Sequence, residues 1–213
     1  SSLTGANSDI VKPENVEFLD YEIEVGLVLG TEITESTVVN EEDLSKYIAG
    51  IVIVNDVSAR DVQILEGQWY KGKSYRTFGP TGPYIYLLDG NEYNLIEDLE
   101  IQLWVNDELR QSANTNQLLF KPAETLTELS GIMDFNVGDL IITGTTGGVA
   151  MAFDKETLSK ISDYTQPYAT KQELFKETQG KISRYLKAGD SVKCSVKSAD
   201  GTIDLGELVN TIV

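Results

Sequence analysis

The sequence predicts a mainly β fold of the α+β class, with mixed sheets in a sandwich or roll and one helical insertion. Three observations carry that prediction. Apolar residues alternate or form short blocks of strand length along most of the chain, glycine and proline punctuate them closely, and helical spacing is confined to a few segments. With 41% hydrophobic residues in 213, the chain can close a sizeable core, read as one domain over 1–213.

The elements follow in order. Residues 20–29 (DYEIEVGLVL) begin in strict alternation and continue as an apolar run, the pattern of a strand passing from half to full burial. Asn40 before Glu41, Glu42 and Asp43 reads as a capped helix start, with acids at the positive end of the dipole and an end near Tyr47. IVIV at 51–54 reads as a buried strand. Gly72, Gly79, Pro80, Gly82 and Pro83 mark a loop, after which 84–88 resumes as a strand. LEIQLWV at 99–105 alternates, and Asn106-Asp107 turns it back into 108–111 as a hairpin. Leu126, Leu129, Ile132 and Met133 share helical spacing within 123–133, and Gly138-Asp139 leads into a strand at 140–143. Segments 191–196 and 205–213 form a closing pair, and between them and the earlier strands lies the helical insertion, 151–187. There Leu174, Thr178, Ile182, Tyr185 and Leu186 fall on one helical face.

Charge narrows the function. With 17 Lys+Arg and 34 Asp+Glu the net charge is 17 − 34 = −17, which repels phosphate backbones and anionic lipids, so neither nucleic acid nor a membrane is expected as a partner. No apolar run is long enough for a spanning helix. A lone cysteine, Cys194, fits a reducing, cytoplasmic setting. The sequence contains no histidine, which removes Ser-His, Cys-His and His-ligated zinc chemistry from these residues.

Four clusters could carry chemistry. In Asp20-Tyr21-Glu22-Ile23-Glu24, strand alternation places the three acids on one face, where carboxylates at i and i+2 can share a hard divalent cation; a solvated strand face explains the pattern as well. Asn55-Asp56-Val57-Ser58-Ala59-Arg60-Asp61-Val62-Gln63 follows a buried strand, so Asp56 could complete a cation site while Arg60 and Gln63 hold a carboxylate. The plainer reading is a helix start, with Arg60 paired to Asp56 or Asp61. Residues 68–80 concentrate cations in an acidic protein without Walker spacing, and Lys73 there could stabilise an enolate oxygen. The glycine-rich loop at 141–149 could bring N–H groups and a hydroxyl to an anion, or be a tight turn.

In combination and order the strings DYEIE, NDVSARDVQ, GKSYRTFGPTGP, VNDELRQ and GDLIITGT closely resemble the fumarylacetoacetate hydrolase family, over most of 20–149 and again from Leu186-Lys187-Ala188-Gly189-Asp190 to the C-terminus. The resemblance implies that family's C-terminal fold and a homodimer, with some of the apolar 51–54 and 99–105 surface near the contact. It implies Mg²⁺ or Mn²⁺, with Ca²⁺ able to stand in within crystals, held by Glu22, Glu24 and Asp56. It makes Lys73 the active-site lysine touching a substrate oxygen, Gln63 a substrate-positioning amide, Thr145 a hydroxyl for the substrate carboxylate, and Arg60 an arginine that orients Asp56. The implied activity is metal-dependent C–C cleavage of a small keto acid, a 2,4-dioxo acid such as fumarylpyruvate or acetylpyruvate.

The chain departs from the family pattern at Thr145-Thr146, where Thr-Pro is frequent, and in the length of 151–187. Many members also carry a His-Glu pair on a short N-terminal lid helix, and this chain opens Ser1-Ser2-Leu3. The expectation is a further N-terminal segment that carries a His and a Glu within one helical turn. Without such a base, oxaloacetate decarboxylation or keto–enol tautomerisation becomes the competing reading. A catalytically silent metal-binding module is the third.

Overall fold

The computed structural model describes residues 2–67 and 69–213, so Gln68 and Ser1 lie outside the described residues. The chain runs β1 (Leu3–Gly5), β2 (Leu19–Asp20), β3 (Ile23–Leu29), α1 (Leu44–Tyr47), β4 (Ile48–Asn55), β5 (Ser58–Ala59), α2 (Arg60–Leu65), α3 (Trp69–Lys73) and β6 (Gly79–Leu87). It continues through β7 (Leu99–Val105), β8 (Glu108–Asn114), α4 (Pro122–Ser130), β9 (Leu140–Ile142), α5 (Lys155–Ser162), α6 (Tyr168–Gln179), β10 (Ser191–Ser198) and β11 (Asp204–Thr211).

One sheet has the order β1-β6-β4-β3-β9, a second β11-β10-β7-β8, and β2 pairs with β5 as a small ribbon. The β1–β6 pair is parallel and the others are antiparallel, so the first sheet is mixed as expected. β11 packs across β6 and β3 across β7, which gives the sandwich. Tyr84 of β6 donates its hydroxyl to the Asp204 carbonyl of β11 at 2.9 Å, tying the layers together. Burial explains the two sequence patterns. β3 and β4 are buried almost throughout and read as apolar runs, whereas β7 and β10 alternate because one face of their sheet is open. The 99–105 hairpin turn is as predicted: Asn106 and Asp107 both take positive φ, 49° and 66°.

Several expectations are corrected. The strand 20–29 is two pieces, because Tyr21 and Glu22 leave the ladder for side-chain partners: the Tyr21 N–H donates to Asp20 Oδ1 and the Glu22 N–H to Asn55 Oδ1, each at 2.9 Å. Gly79–Pro83, read as loop, opens β6. Pro83 lies where the register against β4 shifts between Ile51 and Ile53, so its missing N–H costs that ladder little, and Pro80 stands opposite Thr4 of the short edge strand β1. Asn40 makes no cap; its amide donates to Asp43 Oδ2 at 3.2 Å instead. Helix α4 stops at Ser130, leaving Ile132 and Met133 exposed beyond it. The side chains of 51–54 and the inward residues of 99–105 are buried within the chain itself, while the outward residues of 99–105 lie on the open face of their sheet.

The 151–187 insertion is two helices rather than one face, since Ile182, Tyr185 and Leu186 come after α6 ends. Its second helix, α6, packs against α2 and α5. Phe175 of α6 is fully buried, with its ring 5.3 Å from Phe18 and 5.8 Å from Phe153, and Phe18 also meets Tyr185 at 5.1 Å. Phe18 accepts the Arg60 N–H through its carbonyl at 2.9 Å, so the aromatic cluster holds the entry to α2. Phe175→Ala is expected to destabilise by about 3–5 kcal/mol, read as a lowered denaturant midpoint. Among the described residues no helix is long and apolar enough to cross a membrane.

Candidate active site

The site forms where β3 begins and β4 ends. Antiparallel pairing sets Ile23 opposite Asn55 and Glu24 opposite Val54, which brings Glu22 and Glu24 beside Asp56. The Asp56 N–H donates to the Glu22 carbonyl at 2.8 Å. Alternation then does what the sequence predicts: Tyr21, Ile23 and Val25 are buried in the core while Glu22 and Glu24 turn to the other side. One carboxylate oxygen from each of Glu22, Glu24 and Asp56 lies within 4.8 Å of the others, the only cluster of this kind among the described residues. Glu24 is buried; Glu22 and Asp56 are half-buried.

Lys73 comes from the end of α3, directly over this group. Its ammonium donates to Glu22 Oε2 at 2.6 Å and to Asp56 Oδ2. Gly72 makes that approach possible, because a Cβ there would stand 2.8 Å from the Gln63 Cβ and 3.0 Å from its Cα, too close for α3 to rest on α2. Arg60, the first residue of α2, is buried and spends three donors on three partners: Nε on Asp20 (2.9 Å), Nη2 on Glu22 Oε1 (2.6 Å) and Nη1 on Gln63 Oε1 (2.8 Å). Its ion pairs are therefore with Asp20 and Glu22, not with Asp56 or Asp61. It orients Glu22 rather than Asp56, and Asp61 instead accepts the Glu17 N–H at 2.8 Å.

Asp20, expected on the strand face with Glu22 and Glu24, is instead fully buried and holds the site from behind. Besides Arg60 it accepts the N–H groups of Ala150 at 2.8 Å and Met151 at 3.0 Å, anchoring the start of the insertion. Opposite, the loop after β9 closes the cleft. Gly144, at φ 91°, donates its N–H to Glu24 Oε2 at 2.6 Å, a backbone conformation that favours glycine. The Thr145 hydroxyl donates to the Ile23 carbonyl at 2.8 Å and accepts from Gln111 Nε2 at 2.9 Å. Gln111, buried on β8, also accepts the Ile23 N–H at 3.1 Å and donates to the Thr146 carbonyl at 2.9 Å. In the sequence Gln111 closes the VNDELRQ string, but its part in holding the site comes only from the structure.

All the predicted residues, Glu22, Glu24, Asp56, Arg60, Gln63, Lys73 and Thr145, line one cleft of about 750 Å³. Electrostatically it is strained toward a cation. Burial, reinforced by the charge on Asp56, pushes the Glu24 carboxyl up to about 8. Burial also raises Asp56, against the pull of Lys73. Burial opposes the Arg60 charge, but Asp20 and Glu22 outweigh it and hold the guanidinium above its ordinary value. Three hard oxygen donors at this spacing fit Mg²⁺ or Mn²⁺, and the close approach of the Lys73 ammonium shows that the carboxylates already attract positive charge.

A mixed β-sandwich here presents three carboxylates, a lysine and an arginine in one cleft, the make-up of an enzyme-type centre. The chain belongs to the fumarylacetoacetate hydrolase family: the family model described as Fumarylacetoacetate (FAA) hydrolase C-terminal matches residues 1–213. It is 42% identical over 150 residues, 70% of this chain and 51% of the relative, to 2,4-didehydro-3-deoxy-L-rhamnonate hydrolase of Sphingomonas sp. (strain SKA58). It is 31% identical over 216 residues, 100% of this chain and 56% of the relative, to the mitochondrial oxaloacetate tautomerase Fahd2a of Rattus norvegicus. The solved 5-carboxymethyl-2-hydroxymuconate delta-isomerase of Mycobacterium smegmatis superposes with a TM-score of 0.74 at 27% identity, over 100% of this chain and 66% of that one. The chain spans little more than half the length of these two curated relatives.

Proposed function

We propose that this chain carries the catalytic centre of a divalent-metal-dependent hydrolase that cleaves the C–C bond of a 2,4-dioxo acid. The observation that carries the reading is the Glu22–Glu24–Asp56 cluster, within 4.8 Å and in direct contact with Lys73. The three carboxylates would hold Mg²⁺ or Mn²⁺, which when bound supplies Lewis-acid withdrawal of electrons from a 2-oxo acid head. Arg60 holds Glu22 in orientation through its Nη2. Lys73, relieved of its share of the carboxylates, turns to a substrate oxygen. Gln63 and Thr145 position the head. Water adds to C4, the C3–C4 bond breaks, its electron pair stays with the three-carbon fragment as an enolate, and a proton delivered to C3 completes pyruvate while the acyl group leaves as a carboxylate. With no histidine in the sequence, an imidazole of these residues is not the base.

EDTA and Glu22→Ala are each expected to reduce acetylpyruvate cleavage at least a hundredfold, with Mg²⁺ rescuing only the first. Cleavage that survives both would overturn the metal role.

The second reading, oxaloacetate tautomerisation or decarboxylation, is supported by the lack of a histidine among these residues, since neither reaction needs an attacking water, and by the rat relative's name. A side-by-side panel separates them: loss of oxaloacetate with intact acylpyruvates selects the second. A homodimer belongs to the same proposal, supported by the family, and sedimentation at a single chain mass at micromolar concentration would count against it. Cytoplasmic placement is likewise proposed, supported by the unpaired, buried Cys194.

A further inference from the structure

We propose that the substrate's tail, beyond its 2-oxo acid head, is uncharged and apolar, so that monocarboxylic acyl substrates are preferred to dicarboxylic ones; this rests on the keto-acid reading above. The charged groups lining the cleft are Glu22, Glu24, Asp56, Arg60 and Lys73. Both cations are committed to the carboxylate end. Arg60 is buried and its Nε, Nη1 and Nη2 serve Asp20, Gln63 and Glu22, while Lys73 bridges Glu22 and Asp56 and, once a cation relieves it of them, serves an oxygen of the 2-oxo acid head.

The remaining wall has a different character. Ile64 of α2, Ile142, Val149 and Met151 line it together with the uncharged Thr146 and Gly147 of the loop after β9, and at the lip Trp69 and Tyr70 of α3 are 69% and 83% exposed. Two large aromatic side chains left in water at the mouth of an apolar wall have little to gain from the protein's own core, and a tail laid along them removes that surface from water. A second carboxylate in the same place would lose water, find no uncommitted cation among the described lining residues, and feel three acids nearby. The site therefore selects against a terminal charge by what it omits as well as by what it offers.

The test is calorimetric titration of the purified protein in excess Mg²⁺ with oxalate, then with pyruvate, 2-oxobutanoate, 2-oxopentanoate and 2-oxohexanoate, and with 2-oxoglutarate and 2-oxoadipate. Oxalate reports the head site alone. The expected result is oxalate binding, affinity rising about fourfold per added methylene until the wall is covered, and at least tenfold weaker binding of 2-oxoadipate than of 2-oxohexanoate. Trp69→Ala is expected to flatten the chain-length series, and Ile64→Lys to favour the diacids. Oxalate binding with 2-oxoadipate equal to or tighter than 2-oxohexanoate overturns the tail assignment and leaves the keto-acid reading standing. Failure of oxalate to bind overturns that reading, and the tail assignment with it. The wild-type series decides the matter even if Ile64→Lys does not fold.

Discussion

Arg60→Met is expected to lower stability by about 3–5 kcal/mol, because it strips a buried guanidinium from two carboxylates at once. Asp20 is fully buried and Glu22 half-buried, and the methionine offers neither a donor. For a chain of this size that is a fall in Tm of about 6–20 °C, measurable by calorimetry. Arg60→Lys is expected to recover little, since a single ammonium cannot reproduce the fork that reaches Asp20, Glu22 and Gln63 together. The double variant Arg60→Met/Asp20→Asn separates charge from packing: if most of the loss comes from an uncompensated Asp20, the second change restores part of it. Unchanged stability in Arg60→Met would show that the buried network is not a structural support of the site.

Metal affinity is expected to climb with pH, about tenfold per unit below pH 8, and to level above it. The cause is Glu24, whose carboxyl is pushed up to about 8 by burial first and by the neighbouring Asp56 charge second. A cation must displace that proton. The same shift sets the stability of the metal-free protein. Between the ordinary glutamate value of 4.5 and about 8, the folded chain holds a proton that the unfolded chain gives up. Stability from this group is therefore greatest near the low end of the window and is lost as pH rises through it. Asp56, also raised by burial, acts in the same direction. The lowered carboxyls of Asp43, Asp154, Asp163 and Asp200 titrate below this window and do not mask it. The expected pattern is a metal-free Tm that declines toward pH 8 and an Mg²⁺-induced rise that grows with pH. Calorimetry in buffers of different ionisation enthalpy measures the released proton, and Glu24→Gln is expected to reduce the pH slope, the remainder coming from Asp56. A flat profile in the unaltered protein would show that Glu24 is already ionised before the cation arrives.

The line between what was legible and what was not follows the range of the interactions. Glu22 and Glu24 could be placed on one face from the two-residue period of a strand, and Asp56 at a strand end from the apolar run before it. Their joining into one cluster came from the family resemblance in the ordered motifs, and the antiparallel register of β3 and β4 is the physical form of that joining. The Asn106-Asp107 hairpin was legible because its cause is local, two residues that tolerate positive φ.

The partners of Arg60 were not legible. Asp20 lies 40 residues away and Gln111 lies 88 residues from the Ile23 N–H that it receives, so nothing in the local pattern separates them from other polar side chains. The strand start at Gly79–Pro83 was hidden for the opposite reason: local signals there favour a loop, and pairing with β1 and β4 overrides them. The insertion showed helical spacing without showing what it packs against. By itself the sequence determined the sheet-rich class, the charge, the absence of an imidazole and which residues could be ligands, because periodicity and composition are properties of neighbours along the chain. Only the tertiary structure decided that Arg60 serves Asp20 and Glu22, that α6 packs against α2, and that both cleft cations are already committed, because these depend on which distant segments share a desolvated space.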